Sequence, residues 1–298
     1  MIIAGKEEGL LGTEVISRNA KASQRWARLA SVGTWIGLIL AGLLFFGPFV
    51  ILISIALQPP TANLFAFPPQ RIPRPPHFEI FAEVLRVFPF WQYVWNSFWV
   101  SCMTVLLQML VVPMAGYGFA RRRFPLKEGL FMIVLGAIMI PQQVTLIPLF
   151  GVFRKLGLLD NLWALVLPLI VAPFSIFIMR QAFITLPSEF EDAARIDGCS
   201  EFGIYWRIML PLVKPAVATI AVFTFVEQWN ALLWPVVLLK SPELYTLPLG
   251  LTTLDSAFYG GWRQSAAGAI LGVIPTLIIF LLGQKHFVRG LASGGVKG

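Results

Sequence analysis

Six polar residues set within apolar runs are the side chains of this sequence best suited to chemistry with a polar ligand. They are Gln142, Gln143, Glu227, Gln228, Trp229 and Asn230. Binding pockets combine a few placed carboxylate and amide groups with aromatic rings, and this set supplies all three. A carboxylate such as Glu227 in an apolar run costs about 3 kcal/mol unless it faces water or a partner. The set therefore predicts a wetted path, and a structural hydrogen bond between helices is an equal alternative for Glu227.

Patterns for catalysis and for metal binding have no match in the sequence. It contains no G-x-x-x-x-G-K-[ST] loop to cradle phosphates, so the chain is not expected to bind or hydrolyse ATP by itself. The histidines, His77 and His286, and the cysteines, Cys102 and Cys199, form no cluster. Neither a metal site nor a disulfide is expected. We expect a chain that is not an enzyme and that holds no cofactor of its own.

The stretch 186–215, which we call the hairpin, carries charges of both signs in an otherwise apolar chain. Ser188 followed by Glu191 predicts a capping box, in which each side chain satisfies an amide at a helix start. Gly198 can adopt the left-handed conformation that ends a helix, and Ser200 can cap a second helix. The pattern predicts two short helices joined by a tight turn.

The second hairpin helix is expected to stop before Pro211, which has no amide hydrogen to donate. Both helices are amphipathic, and we expect their apolar sides to need a partner. The apolar residues are Phe190, Ala193, Ala194 and Ile196 on the first helix, and Phe202, Tyr205, Trp206 and Met209 on the second. Aromatic anchors buried in a partner's cleft are a common source of affinity.

The composition indicates an all-α integral membrane protein. Of 298 residues, 57% are hydrophobic and only 13% are charged, whereas soluble domains carry about 25% charged residues. Long apolar runs predict six membrane-spanning helices. The predicted spans are 35–57, 98–120, 130–150, 162–179, 216–239 and 266–282.

The basic residues predict the orientation of these spans. With the amino end placed inside, 16 of the 23 Lys and Arg residues fall on the inner side and 7 on the outer side. This asymmetry predicts that both termini and the hairpin are cytoplasmic. It also explains the net charge of +8 without nucleic acid as a partner. We expect a cytoplasmic tail over 1–30, a membrane domain over 31–290 and a second cytoplasmic tail over 291–298.

Proline and glycine interrupt the apolar pattern in several places. Pro141 and Pro148 are predicted to break the third span, and broken backbone survives in a bilayer only where it is buried in protein or lines water. That span is therefore a candidate cavity wall, with a plain proline kink as the alternative. The proline-rich stretch 59–76 cannot be helical, and a short helix is expected over 78–88. The end, 290–298, is expected to be too glycine-rich for a stable helix.

The hairpin resembles the coupling loop of binding-protein-dependent ABC importer permeases. That motif reads Glu-Ala-Ala, three residues, Gly, nine residues, Ile, one residue, Leu-Pro. The matching residues are Asp192, Ala193, Ala194, Gly198, Ile208, Leu210 and Pro211. Asp192 stands where the family has Glu, and Glu191 beside it points about 100° away on a helix of 3.6 residues per turn. The resemblance implies that these residues, with Glu191, Asp197 and Phe202, couple the chain to an ATPase.

The resemblance also implies a fold and a set of partners. The fold would be that of type I ABC importer permeases, in the inner membrane of a prokaryotic cell. The partners would be a second, related permease subunit forming a heterodimer, an ABC ATPase dimer that holds ATP and Mg, and an extracytoplasmic substrate-binding protein. ATP-driven closure of the ATPases would move the permease pair between inward- and outward-facing states.

Further matches resemble the carbohydrate branch of these permeases, in particular the smaller permease subunit of maltose-type importers. They are Asn96-Ser97, Pro141-Gln142, Trp229-Asn230 and the tail 290–298. The resemblance implies a sugar, or a related polyol or phosphate, as substrate. The alternative is an ion- or proton-coupled secondary transporter, which usually places several ionisable residues in its spans and shows repeated halves. Here Glu227 is the one clear candidate, and no repeat is evident.

Overall fold

A computed structural model describes residues 31–62, 72–254 and 261–295 of the chain, and within these ranges the regular structure is helical. The predicted tail 1–30 lies outside the described residues, as do 63–71 of the proline-rich stretch and 296–298 of the end. The chain divides into two compact units, Met1–Pro75 and Pro76–Gly298.

The first unit contains one long apolar helix, α1 (Ser31–Ala56), with a mean hydropathy of 2.7 over its most apolar stretch. At 1.5 Å per residue its 26 residues extend about 39 Å, enough to cross a hydrocarbon core about 30 Å thick. This helix agrees with the predicted span 35–57.

The second unit is built from helices of very different lengths. They are α2 (Glu79–Val87), α3 (Phe90–Arg121), α4 (Lys127–Ile138), α5 (Gln142–Lys155), α6 (Trp163–Leu169), α7 (Pro173–Ile184), α8 (Glu189–Ile196), α9 (Glu201–Leu212), α10 (Lys214–Trp229), α11 (Leu233–Leu238), α12 (Leu247–Thr252) and α13 (Trp262–Gly295). The helix predicted over 78–88 is confirmed as α2, which packs against α13.

The centre of this unit is α3, a helix of 32 residues that packs against α6, α7, α10 and α12. Its closest neighbour is α7. A Cβ added at Gly116 would lie 2.5 Å from Met179 Cβ and 3.0 Å from the backbone nitrogen of Arg180. Any side chain at Gly116 would therefore push the two helices apart. A buried cluster that includes Val112, Tyr117 and Phe183 surrounds this crossing.

Three helix pairs are bent, and each pair together is long and apolar enough to cross a membrane. The bends are 102° between α4 and α5, 42° between α6 and α7, and 76° between α9 and α10. With α1, α3 and the first part of α13, the described residues provide three straight candidate spans, or up to six with the bent pairs.

The predicted break of the third span at Pro141 is confirmed, but Pro148 lies inside α5 and does not break it. The predicted fourth span over 162–179 corresponds to the bent pair α6 and α7. Pro173 begins a new helix, and the residue before a proline is driven out of the helical region, so Ala172 is extended with ψ 106°.

Within the predicted fifth span, 216–239, the helix is interrupted: α10 ends at Trp229 and α11 is separate. The side-chain amide of Asn230 turns back and donates to the carbonyl of Val226 at 2.8 Å, which marks the helix end. The prediction that 290–298 is not helical is wrong as far as Gly295, where α13 ends. A long helix adds one hydrogen bond for each residue that it fixes, and this outweighs the low propensity of glycine.

The hairpin has the predicted two helices, α8 and α9. Gly198 has φ +75°, which confirms the left-handed turn between them. The side chain of Ser200 accepts a hydrogen bond from the Gly203 amide at 3.2 Å, which confirms this residue as the cap of α9. The predicted capping box is wrong: Ser188 makes no side-chain capping bond and has a helical backbone conformation. Its intended partner, Glu191, is engaged elsewhere, as described below.

The prediction that the second helix stops before Pro211 is wrong as well, because α9 continues to Leu212 through a π turn over Tyr205–Met209. Pro211 therefore lies in the last turn of α9, directly after the π turn. A π turn interrupts the regular i→i−4 pattern of hydrogen bonds, and the missing amide hydrogen of Pro211 is accommodated there.

Candidate functional site: the hairpin and a polar cavity

The inner side of the hairpin is held to α3 by a buried carboxylate. The Tyr117 hydroxyl donates to Glu191 Oε1 at 2.7 Å, and both residues are buried. Arg121 Nη1 lies 3.9 Å from Glu191 Oε2. A carboxylate taken out of water needs such partners, because an unpaired buried charge is strongly destabilising. Glu191 therefore turns toward α3 instead of capping its own helix.

Arg121 also fixes the way the chain leaves α7. Its Nε donates to the carbonyl of Phe183 at 3.1 Å, and its Nη2 donates to the carbonyl of Leu186. These carbonyls belong to the last turn of α7 and to the start of the hairpin. A cation at the carboxyl end of a helix satisfies free carbonyls and complements the helix dipole.

A second, more exposed group of charges ties the two hairpin helices to each other and to α3. Glu201 forms ion pairs with Arg122 and with Arg195, whose Nε lies 3.1 Å from the Glu201 carboxylate. Asp192 pairs with Arg195 at 2.9 Å. Hydrogen bonds from Arg122 and then from Arg195 hold the pKa of the Glu201 carboxyl below its usual range. Asp192 is thus part of a network within the hairpin.

The outer face of the hairpin, which we define as Phe190, Ile196, Phe202 and Trp206, is apolar and exposed. Ile196 is 87% exposed and Phe202 is 63% exposed. The rings of Phe202 and Trp206 stack with centroids 6.3 Å apart and planes inclined by 11°. Tyr205 was predicted to share this apolar side, and it is instead buried against Tyr117, with ring centroids 5.2 Å apart.

The residues of the predicted coupling set occupy different environments. Glu191 and Ala194 are buried; Asp192, Ala193, Asp197, Gly198 and Phe202 are exposed; Ile208, Leu210 and Pro211 are half-buried. The set is therefore a mixture of residues that hold the hairpin in place and residues that it presents outward. The sequence pattern did not separate the two groups.

A cavity of about 600 Å³ lies between α3, α5, α7 and α10, and we call it the polar cavity after the polar side chains in its otherwise apolar lining. Of the predicted path residues, Gln142, Glu227 and Gln228 line it, and Gln143, Trp229 and Asn230 do not. Polar residues that sequence reasoning missed also line it. They are Gln108, Thr145, Ser175 and Thr224. Among the described lining residues, Glu227 is the one that is ionisable.

Gln108 connects three elements around this cavity. Its Nε2 donates to the carbonyl of Leu169 at 2.6 Å, in the bend between α6 and α7. Its Oε1 accepts from the Thr224 hydroxyl of α10 at 2.8 Å. Gln108 stands alone in an apolar run, and Thr224 lies three residues before Glu227. Polar residues within membrane spans usually face the bundle interior, and this signal was available for both.

Trp229 lies in a different place from the polar cavity. It is buried and lines an apolar pocket with residues of α2, α3 and α13, among them Trp91 and Trp95. Consecutive residues on a helix point about 100° apart, so Gln228 and Trp229 face different surroundings. The four-residue polar stretch is therefore split between the cavity, the apolar pocket and the end of α10.

Residues 112–293 match the model of the family described as "Binding-protein-dependent transport system inner membrane component". The chain belongs to this family. It is a multi-pass membrane protein of the transport-subunit type, and the resemblance stated from the hairpin motif is confirmed.

Relatives support this assignment over most of the chain. The arabinooligosaccharides transport system permease protein AraQ of Halalkalibacterium halodurans is 41% identical over 209 residues, covering 70% of this chain and 75% of that protein. The diacetylchitobiose uptake system permease protein DasC of Streptomyces coelicolor is 30% identical, covering 92% and 97%. The lactose transport system permease protein LacG of Rhizobium radiobacter is 36% identical, covering 68% and 74%.

A solved structure has the same fold. It is described as a bacterial ABC transporter involved in the import of the acidic polysaccharide alginate, with a TM-score of 0.76 and 24% identity. The match covers 87% of this chain and 97% of that chain. The second unit thus has the fold of an ABC importer permease, built around the hairpin and the polar cavity described above.

Proposed function

We propose that this chain is a permease subunit of an ATP-driven ABC importer for a carbohydrate, either a mono-, di- or oligosaccharide or a related polyol or phosphate. The observation that carries the proposal is the hairpin, which pairs its charges inward and presents an apolar, partly aromatic face outward. The names of the relatives, which refer to arabinooligosaccharides, lactose and diacetylchitobiose, support a carbohydrate as the substrate. Family membership favours this function over an ion-coupled secondary transporter.

In this proposal the outer face docks on a separate ATPase subunit. ATP and Mg belong to an ATPase dimer, and this chain is the non-catalytic part of the complex. Exposed aromatic residues such as Phe202 and Trp206 fit the role of anchors, since Trp and Tyr in particular dominate interface hot spots. Asp192, Ala193 and Asp197 are exposed beside them and would contribute polar contacts.

The cavity is the proposed substrate path. Gln142, Glu227 and Gln228 line it, and amide and carboxylate groups are suited to hydrogen-bond the hydroxyls of a sugar. A second, related permease subunit would complete the path in a heterodimer, and an extracytoplasmic binding protein would deliver the sugar. The proposed setting is the inner membrane of a prokaryote, with six spans and both termini cytoplasmic.

Co-purification tests the function directly. The tagged chain, extracted from its native membrane, should bring an ATPase subunit and a second permease with it. In proteoliposomes that contain the whole complex and its binding protein, uptake of radiolabelled arabinotriose should require ATP and should survive collapse of ion gradients. Uptake driven by an ion gradient, with no associated ATPase, would show a secondary transporter.

Chemical labelling tests the proposed orientation. Cys199 is exposed in the hairpin, and Glu243 is exposed after α11. In a Cys102→Ser background, Cys199 should react with an impermeant maleimide only from the cytoplasmic side. A cysteine introduced as Glu243→Cys in a chain that also carries Cys199→Ser should react only from the outside. Labelling of both from one side would refute the topology.

A further inference from the structure

The contacts between the hairpin and α3 go beyond what docking of an ATPase requires. Glu191 is flanked by the exposed acids Glu189 and Asp192, yet it alone is turned inward and buried. It accepts the Tyr117 hydroxyl hydrogen at 2.7 Å and lies within 4 Å of Arg121. A purely structural loop would not need an acid at this position, since an apolar residue of similar volume would bury at a lower cost.

We propose that Tyr117, Glu191 and Arg121 form a clamp that makes α3 move together with the hairpin when the ATPase moves it. The three are positioning residues for coupling: they contact neither the ATPase nor the sugar. This inference rests on the proposed function, because it assigns a route to a movement that the ATPase would supply.

The clamp resists separation because its charge is buried. If α8 moved away from α3, the Glu191 carboxylate would lose its hydrogen bond and its cation while still shielded from water. Leaving a buried charged group without its partner costs more than the net gain of the bond. Arg121 adds a second attachment through the carbonyls of Phe183 and Leu186, so the end of α7 is fixed to the same turn of α3.

α3 then leads from the clamp to the cavity. Nine residues separate Tyr117 from Gln108, which is about 14 Å along a helix axis. There Gln108 holds the bend after α6 through Leu169 and holds α10 through Thr224. A displacement of α3 at the hairpin end therefore reaches two walls of the cavity through hydrogen bonds of 2.6 and 2.8 Å.

A probe in the cavity tests the clamp without knowledge of the substrate. Ser175 lines the cavity and is half-buried, so Ser175→Cys in a Cys102→Ser, Cys199→Ser background places a single thiol there. The complete complex is reconstituted, and the maleimide labelling rate is measured with and without ATP and vanadate, which trap the closed ATPase. We expect this rate to change on trapping when the clamp is intact.

Tyr117→Phe removes one hydroxyl and keeps the ring. We expect the ATP-dependent change in labelling to fall at least about fivefold, since the hydroxyl loses its hydrogen bond to Glu191 at 2.7 Å and the one that it accepts from Arg122 Nη2 at 3.0 Å. The ATPase should remain bound and should still be trapped by vanadate. The matched control is Glu189→Gln, an exposed acid in the same turn of α8, which should leave the change in labelling as it was.

A double variant guards against a simple loss of folding. Tyr117→Phe with Glu191→Leu removes both polar partners and so leaves no buried charge without its hydrogen bond. We expect it to be stable and still poorly coupled. A full labelling response in Tyr117→Phe or in the double variant would overturn the clamp, and so would loss of the ATPase from either. No response in the complex with an intact clamp would overturn the proposed function and the clamp together.

Discussion

The acids of the hairpin and three of the polar side chains that line the cavity differ in their hydrogen bonding. In the hairpin, Glu191, Glu201 and Asp192 each have a cationic or hydroxyl partner within the chain. In the cavity, the side chains of Gln142, Glu227 and Gln228 have no hydrogen bond to any residue that the structure describes, and they face about 600 Å³ of open space. Satisfied polar groups hold a shape, whereas unsatisfied groups at an open surface are available to a ligand.

The apolar residues do not follow this contrast. The hairpin exposes Phe202 and Trp206 on its outer face, and Val171 and Phe174 of the cavity lining are exposed as well. The stacked rings of the hairpin and the unpaired polar groups of the cavity therefore carry our proposal of a protein partner for the first and a polar cargo for the second. Each of the following variants damages one region and should spare the other.

The double variant Phe202→Ala, Trp206→Ala should have the largest effect, which is a loss of affinity for the ATPase. Hot-spot residues contribute about 2 kcal/mol or more each, which is roughly thirtyfold in affinity per residue, so the double variant should lose up to about a thousandfold in affinity for the ATPase. The measurement is the amount of ATPase that co-purifies with the tagged chain at a series of dilutions. The matched control is Trp91→Ala, an exposed indole at the start of α3. Equal retention of the ATPase by both proteins would show that the outer face is not its docking site.

Gly198→Val should have the second-largest effect, which is a loss of uptake. Gly198 has φ +75°, and a side chain there costs about 1–2 kcal/mol. Relief of this strain would turn α9 and displace the outer face, so we expect uptake to fall by roughly five- to thirtyfold at unchanged membrane abundance. Gly157→Val carries the same backbone cost at φ +66°, in the turn between α5 and α6. If both variants lost coupling equally, backbone strain rather than the hairpin would be the cause.

Glu227→Gln tests the cavity, and its expected effect is smaller. The change keeps the shape of the side chain and removes its charge, which alters a hydrogen bond to sugar by about 1 kcal/mol, or roughly fivefold in KM for arabinotriose uptake. ATPase co-purification should not change. The control is Gln143→Ala, because Gln143 follows the lining residue Gln142 but does not line the cavity. A shift in KM for Gln143→Ala alone would place the path elsewhere.

The ion pairs of Glu201 should have the smallest effect. Arg122, followed by Arg195, lowers the pKa of Glu201 in the folded state. The stabilisation is therefore present above the unfolded pKa of about 4.3 and is lost as the pH falls through the lowered folded value. Because the pair is exposed, we expect Glu201→Gln to lower Tm by only about 1–2 °C at pH 7.

Measuring the Tm of the original protein and of Glu201→Gln at lower pH checks that the effect is due to charge. The difference in Tm between the two proteins should shrink as the pH falls below the unfolded pKa of about 4.3, and it should be lost once the pH is below the lowered folded pKa of Glu201. Glu189→Gln, which changes an exposed acid of α8, should show no such pH dependence. A difference that persists in acid would mean that Glu201 stabilises the hairpin by packing rather than by charge.

The sequence predicted the outline of the hairpin because its turn depends on local chemistry. Gly198 and Ser200 act within a few residues of themselves, and both behave as expected. Glu191 does not, because its partner Tyr117 lies 74 positions away. A capping box is a local alternative, and a buried hydroxyl and guanidinium offered by α3 outweigh it.

The helix ends, too, could be predicted from the sequence only in part. Pro141 broke its span as predicted, while Pro148 and Pro211 are accommodated inside helices. A proline in the sequence identifies a position without an amide hydrogen. It does not show whether the folded chain needs a hydrogen bond from that position. In the cavity, the sequence identified Gln142, Glu227 and Gln228, but it did not show that Trp229 faces away from them.

The close crossing of α3 and α7 has a mechanical consequence. At Gly116 the two helices leave no room for a side chain, because an added Cβ would lie 2.5 Å from Met179 Cβ. Arg121 lies five residues to one side, about 7.5 Å, and Gln108 eight residues to the other, about 12 Å. A larger residue at Gly116 would therefore act as a wedge between α3 and α7, and it would disturb the contacts at both ends of α3 at once.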